Sequence, residues 1–536
     1  MSGALLVGGI RLPIHAPAEA ALEKAKKRIK EAGLSSSGVR CRIYRRSVDA
    51  RKKGKVSFVY SVAAEGAFTS KQLERAAAAG FSLLRAEAPV CRVGTVPLSC
   101  PPVVVGSGPA GLFCALLLAK HGYRPILLER GGDVAERAAA TARFQRERVL
   151  DTECNIQFGA GGAGTFSDGK LVTRVNDPLC QWVLEQFVRF GAPEEILTQA
   201  KPHIGTDYLQ LVVGRMLEEI AALGGEVRYH TRLTDLALQS GRLTGVQTTG
   251  GPLPAGALVL AVGNSARDTY EMLLGKGLAA QAKSFSVGVR IEHLQAQIDR
   301  AMYGDFAGDP VLGHAEYHLS YDTAHRGVYT FCMCPGGEVV AGASEEGGVV
   351  VNGMSRHARD GKNANSAVVC TVFQEDFGGD VRKAIAFQRQ IEQAAYRAGG
   401  GRYAAPLCTV GDFFSRTRGS APTEVQPTYM GGEGLTLSTP DAYLPGFITE
   451  QLRAGLQSFG RQIEGFDSPA ALLTGAETRT SAPLRLLRGE DRQALGLAGV
   501  YPCGEGAGYA GGITSAAMDG VRTAMALIDR YALPGA

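Results

Sequence analysis

PPVVVGSGPAGLFCALLLAKHGYRPILLER, residues 101–130, decides the fold. Its three valines read as a buried strand, GSGPAG as a tight turn, LFCALLLAKHG as an apolar helix ending on Gly122, and PILLE as a second strand. Gly106, Gly108 and Gly111 stand at GxGxxG spacing inside this strand–turn–helix, the context in which that spacing carries meaning. Such glycines allow a tight turn, close approach of a pyrophosphate to a helix N-terminus, and close helix–strand packing. Glu129 follows Gly106 by 23 residues, where an acid grips a ribose hydroxyl, so the expected ligand carries an ADP moiety with a free 2′-OH.

The same spacing recurs at Gly159, Gly161 and Gly164, and again at Gly506, Gly508 and Gly511. DTECNIQ before the second copy is too polar for a buried strand, and TFSDGK after it starts no helix. It is therefore not another phosphate turn. It reads as a loop lying against a flat aromatic ligand, with a mobile surface loop as the plainer alternative. The third copy, in GVYPCGEGAGYAGGI, does sit between a strand and a C-terminal helix, and is expected to hold the far end of the same ligand.

Further from these motifs, 536 residues suggest two or three domains. Residues 1–98 carry 18 Lys and Arg against 7 Asp and Glu, a net +11, while the remainder is net −6. This basic segment reads as a small α+β unit, with a helix whose apolar face is Leu22, Ala25 and Ile29, and it ends at the Pro-rich VPLSCPP. No long apolar run suggests a membrane span, and MSGALLVGGIRLPIHAP lacks the features of a signal peptide, so a cytoplasmic location with free thiols is expected. Cys332 and Cys334 form a CxC without a second ligand pair at zinc spacing; no metal site is expected, and buried strand cysteines are the favoured reading.

VVVGSGPAGL with Glu129, ALVLAVGNSARD and VYPCGEGAGYAGGI, in that order, resemble the three FAD segments of flavoproteins with a glutathione-reductase-like FAD domain. NIQFGAGGAGTFSDGKL, KPHIGTD, SVGVRIEH, YTFCMCPGG, VVVNGMSRHARDGKNANSA and ETRTSAPLR resemble the bacterial family of uncharacterised FAD-dependent dehydrogenases, or NAD(P)/FAD-dependent oxidoreductases, from about residue 40 to the C-terminus. The resemblance implies an α/β fold: a Rossmann-like FAD-binding domain of residues 99–284 and about 470–536 with an inserted mixed α/β substrate domain of about residues 285–469, preceded by the N-terminal α+β domain read above over residues 1–98. It places Gly106, Gly108 and Gly111 on the pyrophosphate, Glu129 on the ribose, and the backbone of Val227 against the adenine. Gly263 would underlie the ADP half, Gly504 and Glu505 the pyrophosphate–ribityl region, and Gly511, Gly512 and Ile513 would face the flavin N1–C2=O edge. Ser107, Pro109 and Ala110 in the turn, Arg130, and Gly161, Gly162, Thr165, Phe166, Ser167 and Asp168 in the glycine loop complete the expected FAD contacts.

Three residues are candidates for the chemistry. Lys170 ends the glycine loop and would favour hydride acceptance near N5 or O4; the alternative is a surface lysine. Arg479 offers a guanidinium fork for a carboxylate or enolate, or else makes a structural ion pair. His203 has the chemistry of a proton donor, although a hydrogen-bonded structural histidine is the favoured reading. Arg290 and His293 lie on a strand of the substrate domain, and Cys503 reads as packed. The expected activity is hydride transfer through flavin N5 to or from a small molecule, with transient NAD(P)H or a protein as a source of electrons, since there is no second strand–GxGxxG–helix domain that could hold NAD(P)H permanently beside the flavin. Eight basic residues between Arg40 and Lys55 leave open an RNA-modifying or RNA-binding flavoprotein, against a solvated hairpin with few aromatics for base stacking. A purely structural FAD is the third reading.

Overall fold

The computed structural model describes residues 2–34, 38–52, 54–84, 88–173, 177–322, 326–417 and 419–535. Its central element is a five-stranded parallel sheet, ordered Val500–Pro502, Leu258–Leu260, Val103–Val105, Ile126–Leu128, Glu226–Arg228. Side chains alternate across a strand, and here both faces are buried. Val104, Leu127, Val259 and Tyr501 pack beneath the helices Pro109–Lys120, Thr206–Ala222 and Ile513–Arg530. Val103, Val105, Leu258 and Leu260 pack on the other side against the antiparallel strands Leu233–Gln239 and Arg242–Thr248 and the helix Arg267–Gly275. A sheet covered on both faces explains why its strands read as unbroken apolar runs.

The unit inserted into the FAD domain is built on a seven-stranded mixed sheet around the long antiparallel pair Phe285–Leu294 and Asn363–Val372. Leu472–Glu477 lies inside this sheet, between Phe285–Leu294 and Ala405–Thr409, so the sheet runs past the boundary expected at residue 469. Its partners stand more than sixty residues away in the chain, and no local signal marks that pairing. Ala280–Ala282 and Leu484–Leu486 then pair as a short two-stranded link between the domains.

The N-terminal unit pairs Ser2–Pro13, Arg40–Lys52, Lys55–Ala67 and Ser82–Leu84 in the spatial order second, third, first, fourth, with helices Glu19–Glu31 and Ser70–Ala78. That is the split βαβ arrangement of ferredoxin-like domains. The basic run occupies the edge strand Arg40–Lys52. Arg46 N–H donates to Thr198 O at 2.7 Å, and Ala200 N–H donates to Arg46 O at 2.8 Å, so the edge is partly closed by the FAD domain. Arg42 pairs with Glu65, Asp49 with Arg11 and Arg51, and Arg46 lies over the Phe58 ring; Lys53 falls outside the described residues. Among those residues, no helix is long and apolar enough to cross a membrane.

Candidate functional site

The three glycine fingerprints converge on one cavity of about 350 Å³, lined by Gly106, Gly108, Gly162, Gly164, Gly511 and Gly512 among others. Not every glycine serves it in the same way. A Cβ on Gly111 would stand 1.8 Å from Gly106 O, and one on Gly106, where φ is +97°, would stand 2.3 Å from Ala261 O. Those two are glycine because backbone packs on backbone. Gly108 has only Gly162 Cα at 3.8 Å, and Gly511 and Gly512 have nothing within 4 Å. These three open onto the cavity. Helices Pro109–Lys120 and Ile513–Arg530 both start at such a glycine with no side-chain cap, so both present free N–H groups and a positive dipole end there. Gly506 and Gly508 are packing glycines, each too close to backbone for a Cβ.

The glycine loop is held against the phosphate turn. Gly161 N–H donates to Ser107 O at 3.1 Å, and a Cβ on Gly162 would meet Gly108 Cα at 2.9 Å. Arg137, buried in the helix Val134–Glu147, spreads its guanidinium over the carbonyls of Asn155, Ile156 and Ala160 and so sets the loop's course. Gly164 and Ser167 line the cavity, whereas Gly161, Thr165 and Phe166 stand behind it; Phe166 packs on Ile156 and Val340.

Glu129 lines the cavity, but all four of its acceptor sites are engaged. Oε2 accepts from Ser107 N–H at 3.0 Å and Ser107 O–H at 2.6 Å; Oε1 accepts from Gly131 N–H at 3.0 Å and Gly159 N–H at 2.9 Å. The expected ribose ligand is thus also a clamp on three loops. A ribose hydroxyl would share Oε2 with the Ser107 hydroxyl, which can rotate away. Arg130 lies over the Phe158 ring at 4.0 Å and forks onto Glu153 and Asp268. Val227, on the edge strand of the sheet, pairs with Leu127 and does not line the cavity; Thr231, Arg232 and Leu233 do. They follow His230, whose φ of +50° turns the chain back toward Glu129.

Elsewhere on the cavity wall, Gly263 is open on its Cβ side, and Asn264 Nδ2 donates to Glu505 at 2.8 Å. Burial pushes the Glu505 carboxyl up to about 7, against the Asn264 hydrogen bond and the nearby Lys283. Gly504 N–H donates to Asp519, which also receives Arg488 and Arg492, pinning this loop to the last helix. Cys503 is buried at the base of the loop, its thiol pushed up by burial.

The chemistry candidates divide. Lys170 lines the cavity and pairs with buried Asp168, which also takes Arg359 at 3.0 and 2.6 Å and Ser355. Burial alone would raise the Asp168 pKa, but Lys170 and Arg359 outweigh it and hold the carboxylate charged. Arg479 lines the cavity too, its fork on Glu392 at 3.2 and 3.0 Å. His203 does not line it: its ring stacks on His357, and Nε2 donates to His357 O at 3.1 Å. Burial and then Arg359 lower its pKa to about 4, leaving it neutral near pH 7. Arg290 is fully buried on Glu477 and Asn365, and His293 donates to Phe466 O inside the core. Cys332, Asn352 and Glu477, none of them singled out as cavity residues from the sequence, complete the wall on the side of the inserted unit. They lie in the runs YTFCMCPGG, VVVNGMSRHARDGKNANSA and ETRTSAPLR, which carry the family resemblance.

A cavity lined by two uncapped helix N-termini fits a dinucleotide with two phosphates and a flat ring, and the open Cβ sides of Gly108, Gly263, Gly511 and Gly512 leave room for it. Fold and cradle together define a flavoprotein with an FAD-binding domain of the oxidoreductase type. The chain belongs to a family of FAD-dependent proteins: residues 284–480 match the family described as "FAD-dependent protein, C-terminal domain-like", and residues 104–168 the "NAD(P)-binding Rossmann-like domain". Residues 9–65 match a domain of unknown function. Over 518 residues the chain is 45% identical to a protein of Clostridium beijerinckii described as "Uncharacterized protein", covering 95% of this chain and 96% of that one. Solved structures similar to it include the L-amino acid deaminase from Proteus vulgaris (12% identity, 83% of this chain and 97% of that one, TM-score 0.33). Glycine oxidase from Bacillus cereus is another (10% identity, 80% and 95%, TM-score 0.32).

Proposed function

We propose that the chain is an FAD-dependent oxidoreductase that moves a hydride between the flavin and a small molecule bearing a carboxylate or an enolisable carbonyl. The observation behind this reading is a single cavity that joins both helix N-termini to a wall carrying Lys170 and Arg479. Bound FAD supplies the hydride-accepting chemistry of its N5. Around it, Pro109–Lys120 would hold the pyrophosphate through its free N–H groups, and Ile513–Arg530 would offer a positive dipole to the negative charge of a reduced flavin. Lys170, kept in place by Asp168, and Arg479, kept in place by Glu392, hold two cations on the wall facing a substrate anion. Glu505, titrating near 7, can hold or release a proton at its carboxyl under working conditions. Among the described residues there is one five-stranded parallel sheet, so a nicotinamide donor would bind transiently or a protein would deliver electrons. The test is anaerobic: NADH, NADPH and small carboxylate donors are each added to the purified protein. Bleaching of the flavin band by any of them within seconds supports the reading; a flavin that only dithionite reduces makes the cofactor structural and ends it.

A further inference from the structure

The hydride mechanism leaves Cys332 and Cys334 unused, yet Cys332 stands on the cavity wall with Cys334 buried next to it in the chain. The strand Gly327–Cys334 pairs with Asn363–Val372 until its register breaks between Phe331 and Cys334. At the break Cys332 takes φ +48°, a left-handed conformation uncommon outside glycine. The chain curls there, and the two side chains meet. Cys332 is half-buried and lines the cavity beside Lys170, Asn352, Glu477 and Arg479, while Cys334 is fully buried behind it. The Cys334 thiol donates to Cys332 O at 3.4 Å.

Charge makes the pair unequal. The neighbouring Cys334 thiol, then the Arg290 and Lys170 cations, lower the Cys332 pKa against its burial, whereas Cys334 is pushed well above the usual thiol range. Arg290 N–H also donates to Cys332 O at 3.2 Å, which fixes the guanidinium beside the pair. An outer thiolate backed by an inner protonated thiol is the arrangement of an attacking and a resolving sulfur. A metal is not what gathers them, because no group of three His, Cys, Asp or Glu ligands occurs among the described residues.

The geometry points to Cys332 and Cys334 as a redox-active dithiol that exchanges an electron pair with the FAD of this cavity, Cys332 being the sulfur that also meets a thiol or disulfide co-substrate. It rests on the FAD-dependent oxidoreductase reading above. In one direction the two cysteines give up two electrons and two protons as their S–S bond forms, and FAD takes both to become FADH₂. In the other, FADH₂ returns them and the S–S bond breaks. The reduced pair then reduces a disulfide co-substrate: the Cys332 thiolate attacks one of its sulfurs and expels the first thiol, and Cys334 attacks the mixed disulfide and expels the second.

The experiment is an anaerobic reductive titration of the flavin-loaded protein after treatment with a thiol oxidant and its removal. Wild type is expected to take about twice as much dithionite per flavin as Cys332→Ser or Cys334→Ser, because the thiol–disulfide couple accepts two electrons in addition to the flavin's two. Peptide mapping of the wild type after alkylation gives a readout that needs no variant: both cysteines blocked before reduction, both alkylated after it. Equal uptake by all three proteins, with Cys332 and Cys334 alkylated after the oxidant step, overturns the dithiol and leaves the oxidoreductase intact. A protein that holds no flavin overturns both.

Discussion

One added methyl group, placed at either of two glycines three residues apart, is expected to separate cofactor binding from folding. At Gly111 the new Cβ would lie 1.8 Å from Gly106 O and 3.0 Å from its carbonyl carbon, so the helix Pro109–Lys120 must slide off the turn. Overpacking of that kind costs about 1–3 kcal/mol, and an obstacle made of backbone favours the upper end. At Gly108 φ is −66°, which alanine adopts freely, and the nearest atom to the new Cβ is 3.8 Å away. The fold there loses almost nothing. The methyl instead enters the space that a pyrophosphate needs to reach the helix N-terminus. Losing one charge-assisted hydrogen bond costs about 1.5–3 kcal/mol, which weakens FAD binding by about 10- to 100-fold. Apoproteins titrated with FAD by flavin fluorescence, alongside their thermal unfolding, separate the two effects. Gly108→Ala should melt with wild type and bind FAD weakly; Gly111→Ala should melt lower. Wild-type FAD affinity in Gly108→Ala would refute the cradle, and wild-type melting in Gly111→Ala would refute the packing argument.

Glu129→Gln sets an amide nitrogen against backbone N–H donors that now share a carboxylate, at about 1–3 kcal/mol for each donor left unpaired; thermal unfolding of the apoprotein and FAD retention on gel filtration should both fall. Glu505 binds its proton more tightly folded than unfolded, so its charged form costs stability that is absent below the ordinary glutamate range and fully present above about 7. Urea midpoints of the apoprotein should therefore decline as pH rises through that window, and Glu505→Gln should flatten the decline. Lys170→Met leaves Asp168 paired with Arg359 and FAD bound, yet flavin reduction by an active donor should slow by about 100-fold in anaerobic stopped-flow.

The phosphate turn was legible in the sequence because strand, turn and helix are contiguous there, and the acid at Glu129 falls at a characteristic distance. What Glu129 does was only half legible. Its partners Ser107 and Gly159 lie 22 and 30 residues away, and four simultaneous hydrogen bonds leave no local pattern. Arg137 reads as one more charge on an amphipathic helix until its guanidinium is seen among three carbonyls. Cys332 faces the cavity only because a register break turns the strand there, and such a break depends on its neighbour Asn363–Val372. Leu472–Glu477 falls within the 470–536 segment expected of the FAD domain, and its place in the other sheet is hidden because strand order is set by partners distant in the chain. His203 reads in the sequence as a hydrogen-bonded structural histidine or a proton donor; burial first, and then Arg359 on a remote segment, make it a neutral ring stacked on His357.

The central claim is that three glycine fingerprints enclose one FAD. Flavin released from the purified, FAD-saturated protein by heat and quantified chromatographically against protein concentration tests it most directly. One FAD per chain is the result expected, falling in Gly108→Ala while the fold persists. Two nucleotides per chain, or no FAD after reconstitution, would contradict it.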